Sequence, residues 1–126
     1  MFERIDSRSP TPLYAQISTR LRVAIAAGEL CAGDALPSVR QLASQLRINP
    51  ATVVQAYRDL ETEGLVATRH GAGTFVLDVP SARKESERIA EAKRLVRDLV
   101  ADAGRLGIST TDLRAALDDE LTRGSE

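Results

Sequence analysis

Apolar residues recur every three or four positions after Thr11-Pro12, which is the spacing of one face of an α-helix. Thr11 is expected to cap this first helix, with Pro12 as its first residue, and Gly28 is expected to end it. Its apolar stripe consists of Leu13, Ile17, Leu21 and Ile25. The pattern therefore predicts an amphipathic helix that buries one face against the rest of the chain.

Two shorter amphipathic helices are predicted next, joined by a tight turn at residues 47–49. Ser38 and Gln41 have the spacing of a capping box at the start of the second helix. Asn49-Pro50 begins the third helix and Gly64 ends it. The buried faces are expected to contain Val39, Leu42, Ala43 and Leu46, then Val53, Ala56, Tyr57 and Leu60. Two short helices joined in this way predict a helix-turn-helix.

Two β-rich runs follow at residues 65–68 and 74–77, and the segment between them contains Gly71 and Gly73. Glycines suit the tip of a hairpin because they adopt positive φ at little cost. Three helices followed by a hairpin predict a winged helix. The expected fold class is thus mainly α with a small β-hairpin.

A boundary is predicted at Pro80, dividing a winged-helix domain at residues 1–79 from a helical segment at residues 80–126. A helix of about twenty residues is expected there, followed by a short helix capped by Ser109 and Asp112. Six residues at alternating spacings of three and four form a heptad seam: Ile89, Ala92, Val96, Leu99, Ala103 and Leu106. Because a small domain cannot cover so long a seam, we expect it to form a homodimer; packing against the winged helix is the alternative.

The net charge of −1 does not by itself indicate a nucleic-acid partner, but the distribution of charge does. No acidic residue occurs at positions 35–58, where three arginines fall, or at positions 64–77, where Arg69 stands beside His70. Fifteen of the seventeen basic residues are arginine, whose planar fork suits phosphates and guanine edges. A general replacement of Lys by Arg would explain that bias equally well.

Several classes of protein are excluded by composition. A single Cys and a single His leave no cysteine cluster or multi-histidine site, so no metal and no cofactor are expected. No nucleophile elbow, phosphate loop or paired carboxylates indicate an enzyme. No segment resembles a signal peptide or a membrane span, so we expect a cytoplasmic protein without a membrane partner.

Several segments together closely resemble the winged-helix domain of the GntR family of bacterial transcription factors. They are residues 12–17, 36–43, 49–53, 56–57, 60–65 and 71–76. The short helical tail resembles that of the YtrA subfamily, in which two helices serve dimerisation. The resemblance implies a homodimeric regulator that binds an inverted-repeat operator, with repression as the expected mode. A winged helix that binds protein and not operator DNA is the alternative.

The resemblance implies DNA contacts at Arg40, at the start of the third helix and in the wing. The charge and expected exposure of Arg47, Gln55, Arg58 and Arg69 add four more. The full predicted set is Ser38, Arg40, Arg47, Asn49, Pro50, Ala51, Thr52, Gln55, Arg58, Arg69, His70 and Gly71. Gln55 could read an adenine edge. Many members of the family carry an extra basic residue near positions 50–55, which is missing here, so base readout is expected to be sparse.

Simpler interpretations remain open for individual residues. Arg40 could be a solvated surface charge, Arg58 could pair with the carbonyl groups of Glu61 or Thr62 on its own helix, and Thr52 could bond its own helix end. Cys31 is expected to be incidental, with a redox switch as the alternative. A small-molecule effector, if one acts, is expected in the cleft between protomers near Val79-Pro80, because one protomer offers few walls for a deep cavity.

Overall fold

The computed structural model describes residues 1–2 and 5–124. Over these residues the chain forms helices α1 (Leu13–Ala27), α2 (Val39–Leu46) and α3 (Pro50–Thr62), then strands β1 (Val66–Arg69) and β2 (Gly73–Val76), then helices α4 (Ser81–Arg105) and α5 (Thr110–Gly124). The strands pair antiparallel. Three helices followed by a hairpin confirm the predicted mainly α, winged-helix fold.

Helix α1 begins one residue later than predicted. Pro12 has an extended ψ of 147° and is itself the cap, so Leu13 is the first helical residue. The side chain of Thr11 makes no capping bond. The backbone carbonyl oxygen of Thr11 accepts a hydrogen bond of 2.8 Å from Nε2 of Gln16. The expected Thr11 cap was therefore wrong, because extended backbone at Pro12 delays the first turn.

The predicted caps of α2 and α3 are present. The hydroxyl of Ser38 accepts from the backbone N–H of Gln41, and the Gln41 side chain accepts in return from the backbone N–H of Ser38, both at 3.0 Å. Oδ1 of Asn49 accepts from the backbone N–H of Ala51 at 2.9 Å, and Pro50 is the first residue of α3. These bonds satisfy backbone donors that a helix start leaves unpaired.

The hairpin is displaced by one residue from the predicted runs. Val66 pairs with Val76 and Arg69 pairs with Gly73. Leu65 stays outside β1 because its N–H closes the end of α3 by donating to the carbonyl of Leu60 at 3.0 Å.

A single apolar core holds α1, α2, α3 and the hairpin together. Its members are Ile17, Leu21, Ile25, Leu36, Leu42, Ala43, Val53, Ala56, Tyr57, Leu60, Leu65, Val66, Val76 and Val79. Leu13 and Leu46, which the stripes also predicted as core, are only half-buried. The guanidinium of Arg22 adds a two-bonded ion pair to Glu63, at 2.9 and 3.0 Å, between α1 and the end of α3.

The chain divides into two compact units, Met1–Ile89 and Ala90–Glu126. The first turns of α4 belong to the first unit, where Nη1 of Arg88 donates to the carbonyl of Ala26 at 2.7 Å. The border between the two compact units therefore lies inside α4 and not at Pro80. Helix α4 has 25 residues, whereas about twenty were expected. The functional boundary at residue 80 stays a prediction.

The second unit contains the rest of α4 and the helix α5. The hydroxyl of Ser109 accepts from the backbone N–H of Asp112 at 3.1 Å, as the predicted cap requires. Apart from the half-buried Leu113, its large apolar side chains are exposed within the protomer: Leu95, Val96, Leu99, Val100, Leu106, Ile108, Leu117 and Leu121. Across the described part of the chain, no helix is long and apolar enough to cross a membrane.

Candidate nucleic-acid interface

The start of α2 presents two of the predicted contact residues to solvent. Ser38 and Arg40 are both exposed, and the capping box described above fixes the backbone that carries them. An open groove with a volume of about 960 Å³ runs along this helix. It is lined by Ala35, Leu36, Pro37, Ser38, Arg40, Gln41, Ser44 and Gln45. Because the groove is open to solvent, it is a surface feature of this helix and not an enclosed cavity.

Helix α3 has one exposed face opposite the face that enters the core. Ala51, Gln55 and Arg58 are exposed at spacings of four and three, so they share this face. At the start of the helix Asn49 and Pro50 are exposed, and Thr52 is half-buried. The opposite face contributes Val53, Ala56, Tyr57 and Leu60 to the core. The burial pattern thus leaves the predicted contact residues of α3 facing outward.

Gln55 has a partner that the sequence reasoning missed. Its Nε2 donates to Oδ1 of Asp59 at 3.0 Å. The residues are four apart, which is the spacing of neighbours on a helix surface, so the i,i+4 rule could have found the pair. The side-chain amide nitrogen of Gln55 is therefore held by the carboxylate of Asp59.

The simpler interpretation of Arg58, a pairing with the carbonyl groups of Glu61 or Thr62, stays open. The side chain of Glu61 has a different partner, since its Oε2 accepts a hydrogen bond of 3.0 Å from the backbone N–H of Thr68 in β1. Glu61 thus ties the end of α3 to the wing. Arg58 is exposed, as DNA contact requires.

Arg47 connects the two helices in an unusual conformation. Its φ is 57°, and it is the one residue other than glycine with positive φ among those described. Its N–H still closes the end of α2 on the carbonyls of Ala43 and Ser44. Glycine or asparagine is the usual choice at such a helix end, because a side chain is strained there.

The wing carries an arginine that rests on an aromatic ring. The guanidinium carbon of Arg69 lies 5.1 Å from the centre of the Phe75 ring, within the range of a cation–π contact. His70 and Gly71 are exposed at the tip, where Gly71 has a φ of 78°. The sequence reasoning did not single out Phe75. Arg69 pairs across the hairpin with Gly73, and Phe75 lies two residues further along the same strand, so the diagonal cross-strand rule could have found this contact.

Tyr57 connects α2 and α3 on their buried side. Its hydroxyl donates to the carbonyl oxygen of Pro37 at 2.7 Å, directly before the capping box of α2. Burial raises the pKa of the Tyr57 phenol well above its ordinary value. The bond fixes the start of α2 relative to the middle of α3.

No acidic residue occurs at positions 35–58 or 64–77, which contain the predicted contact residues of α2, α3 and the wing. Asp59 and Glu61 of α3 fall between these stretches, and both accept hydrogen bonds from neighbouring groups. Exposed arginines such as Arg40, Arg58 and Arg69 are suited to contacts with the phosphate backbone of nucleic acid.

Comparison with known proteins agrees with this geometry. Residues 13–76 match the family model described as bacterial regulatory proteins, gntR family. The HTH-type transcriptional repressor YtrA of Bacillus subtilis is 36% identical over 110 residues, which covers 87% of this chain and 85% of that protein.

Solved structures show the same likeness. A GntR family transcriptional regulator from Listeria monocytogenes superposes with a TM-score of 0.68 at 32% identity, over 90% of this chain and 97% of that one. The AraR DNA-binding domain, solved in complex with an operator, superposes with a TM-score of 0.51 at 30% identity, over 56% of this chain and 86% of that one.

The matched region contains the helix-turn-helix and the wing, and the match to YtrA extends into the tail. Regulators of this family bind operator DNA. The chain therefore belongs to the GntR family and is a DNA-binding transcriptional regulator, not an enzyme.

Proposed function

We propose that the protein is a homodimeric repressor that binds an inverted-repeat operator through α2, α3 and the wing. The observation that carries the proposal is the exposed face of α3, where Ala51, Gln55 and Arg58 stand outward from a helix whose opposite face is locked into the core. Repression is proposed because the YtrA relative is named a repressor.

Within this proposal, α3 enters the major groove with its first turn leading. The backbone N–H groups and the positive end of the helix dipole then face phosphate near Asn49 and Thr52. Arg40 contacts the phosphate backbone of the DNA from α2, and Arg47 contacts it from the turn after α2. Arg69, His70 and Gly71 approach a neighbouring part of the duplex from the wing.

Homodimer formation is proposed through the helical tail. Leu99 and Val96 of the heptad seam are 40% and 51% exposed within the protomer, and such apolar surface is ordinarily covered by a partner. Ala103, which the seam also includes, is buried within the protomer, so it offers little area to a partner. Ile89, Ala92 and Leu106 are exposed and complete the proposed interface.

Regulation by a small molecule is proposed at the interface between protomers, near Val79-Pro80. A ligand there would favour one arrangement of the two recognition helices, and a coupling of about 1–3 kcal/mol suffices to change operator occupancy. Operator binding also implies that the protein works at the nucleoid.

The direct experiment is selection of bound sites from a pool of random duplexes by the full chain. The proposal expects a two-fold symmetric site whose half-sites lie about one helical turn apart, roughly ten base pairs centre to centre. The matched control is the same selection with Leu99→Asp, which should recover single half-sites or nothing. A selected site without symmetry would contradict the homodimer on DNA, and no enrichment would favour the protein-interaction alternative.

A further inference from the structure

Exposed Gln55 and half-buried Asp59 form a hydrogen-bonded pair one turn apart on α3. Nε2 of Gln55 lies 3.0 Å from Oδ1 of Asp59. A carboxylate only accepts hydrogen bonds, so the amide nitrogen, and not the amide oxygen, must be the atom that faces Asp59. Asp59 therefore removes the two-fold ambiguity of the amide orientation.

The fixed orientation leaves a defined pair of groups toward solvent. A glutamine amide has two N–H groups and one carbonyl oxygen. When Asp59 accepts the N–H that points away from Oε1, the remaining N–H and Oε1 stand side by side at the exposed end of Gln55. One donor next to one acceptor is the complement of a single purine edge.

That edge belongs to adenine. In the major groove adenine offers the N7 acceptor beside the N6 donor, whereas guanine offers two acceptors, N7 and O6. A Gln55 held by Asp59 can bond both groups of adenine but only one of guanine. We propose that Asp59 is a specificity-determining residue, which positions the Gln55 amide to select adenine at one position of each half-site.

The proposal rests on the proposed function, since it requires that α3 read an operator. It adds a role for an acidic residue that would otherwise only repel phosphate. Ala51 lies four residues before Gln55 on the same face and is small, so it leaves room for a base edge to approach the amide. Gln55 itself is exposed, as this approach requires.

The test repeats the selection of bound duplexes with the full chain and its variants Gln55→Ala, Asp59→Ala and Asp59→Asn. The wild type should prefer adenine at one position of each half-site by about tenfold or more, the discrimination expected of a two-bonded contact. Gln55→Ala should abolish that preference. Both Asp59 variants should reduce it by about a factor of two, because the amide then adopts two orientations of which only one complements adenine, while the other positions keep their bases.

Glu61→Gln is the matched control. It removes a carboxylate from the same helix, two residues from Asp59, but keeps an oxygen that can accept from the N–H of Thr68. Its affinity should change for all sequences alike, and the adenine preference should stay. Asp59→Asn preserves shape, and circular dichroism on each variant confirms that the fold is intact.

The outcomes separate the two claims. If the wild type selects no site, the proposed function fails, and this inference fails with it. If the wild type selects a site but the Asp59 variants keep its full adenine preference, only this inference is overturned. A Gln55→Ala variant that selects the unchanged site also overturns it.

Discussion

The hydroxyl oxygen of Tyr57 lies 2.7 Å from the carbonyl oxygen of Pro37, and this partly buried bond joins the middle of α3 to the residue before the α2 capping box. Tyr57→Phe keeps the ring in the core and removes only the donor. We expect a loss of about 1 kcal/mol in the free energy of unfolding, measured by urea denaturation, because the Pro37 carbonyl loses its partner. A variant as stable as the wild type would show that solvent replaces the bond fully.

The same residue predicts a dependence on alkaline pH. Burial raises the pKa of Tyr57 in the folded protein above the value of about 10 expected in the unfolded chain. As the pH rises, Tyr57 therefore ionises first in the unfolded chain, and this ionisation stabilises the unfolded state relative to the folded one. Its contribution to stability is therefore complete below about pH 10 and falls as the pH rises further. The difference in unfolding free energy between wild type and Tyr57→Phe, measured from pH 8 to 11, should shrink across this range. A constant difference would contradict the assigned shift.

Arg47 predicts a conflict between stability and DNA binding. Its left-handed conformation at the end of α2 favours glycine, so Arg47→Gly should raise the free energy of unfolding, by about 1 kcal/mol at most. If the side chain contacts phosphate, the same change should weaken operator binding. Thermal melting and operator titration of one sample measure both. A variant that is less stable, or that binds as tightly as the wild type, contradicts this account.

Arg40→Ala tests the first turn of α2. The residue is exposed, so its loss should change stability by less than about 0.5 kcal/mol. A lost phosphate contact lowers affinity for all sequences and reduces the slope of log K against log salt by about 0.9. A lost guanine contact would instead relax one position of the site. Arg114→Ala, an exposed arginine of α5, is the control and should bind as the wild type does.

Leu99→Asp tests the dimer. A carboxylate in an apolar interface loses hydration without gaining a partner, so the variant should be monomeric by light scattering at micromolar concentration. Arg97→Asp introduces a carboxylate on the same helix but outside the heptad seam, with an even larger change of charge, and should leave the dimer intact. A wild-type chain that is already monomeric would contradict the proposed seam.

Sequence pattern predicted most of the fold because the apolar stripes and caps act locally. Ser38, Gln41 and Asn49 make the bonds that their spacing required. The prediction that Pro12 is the first residue of α1 is wrong, because a proline can either cap a helix or begin it, and only its ψ angle decides between the two. Leu65 was placed in the strand because its bond to the carbonyl of Leu60 is not visible in hydropathy.

The candidate site was predicted at the level of residue type and exposure, but its side-chain partners were not. Asp59, Phe75 and Tyr57 act through contacts with other residues, and an acidic or aromatic residue carries no sign of its partner in the sequence. The Tyr57 bond crosses twenty positions, which no local pattern reports. Pairs at a spacing of four, such as Gln55 and Asp59, were within reach of the helix rule.

Sequence-specific binding of operator DNA by α2, α3 and the wing can be measured by a mobility-shift titration of the full chain on its selected duplex, at two salt concentrations and with excess nonspecific competitor. We expect a complex that survives the competitor and that weakens steeply with salt, as phosphate contacts require. Binding no tighter than to a scrambled duplex would contradict sequence-specific binding and leave the winged helix as a protein-interaction module.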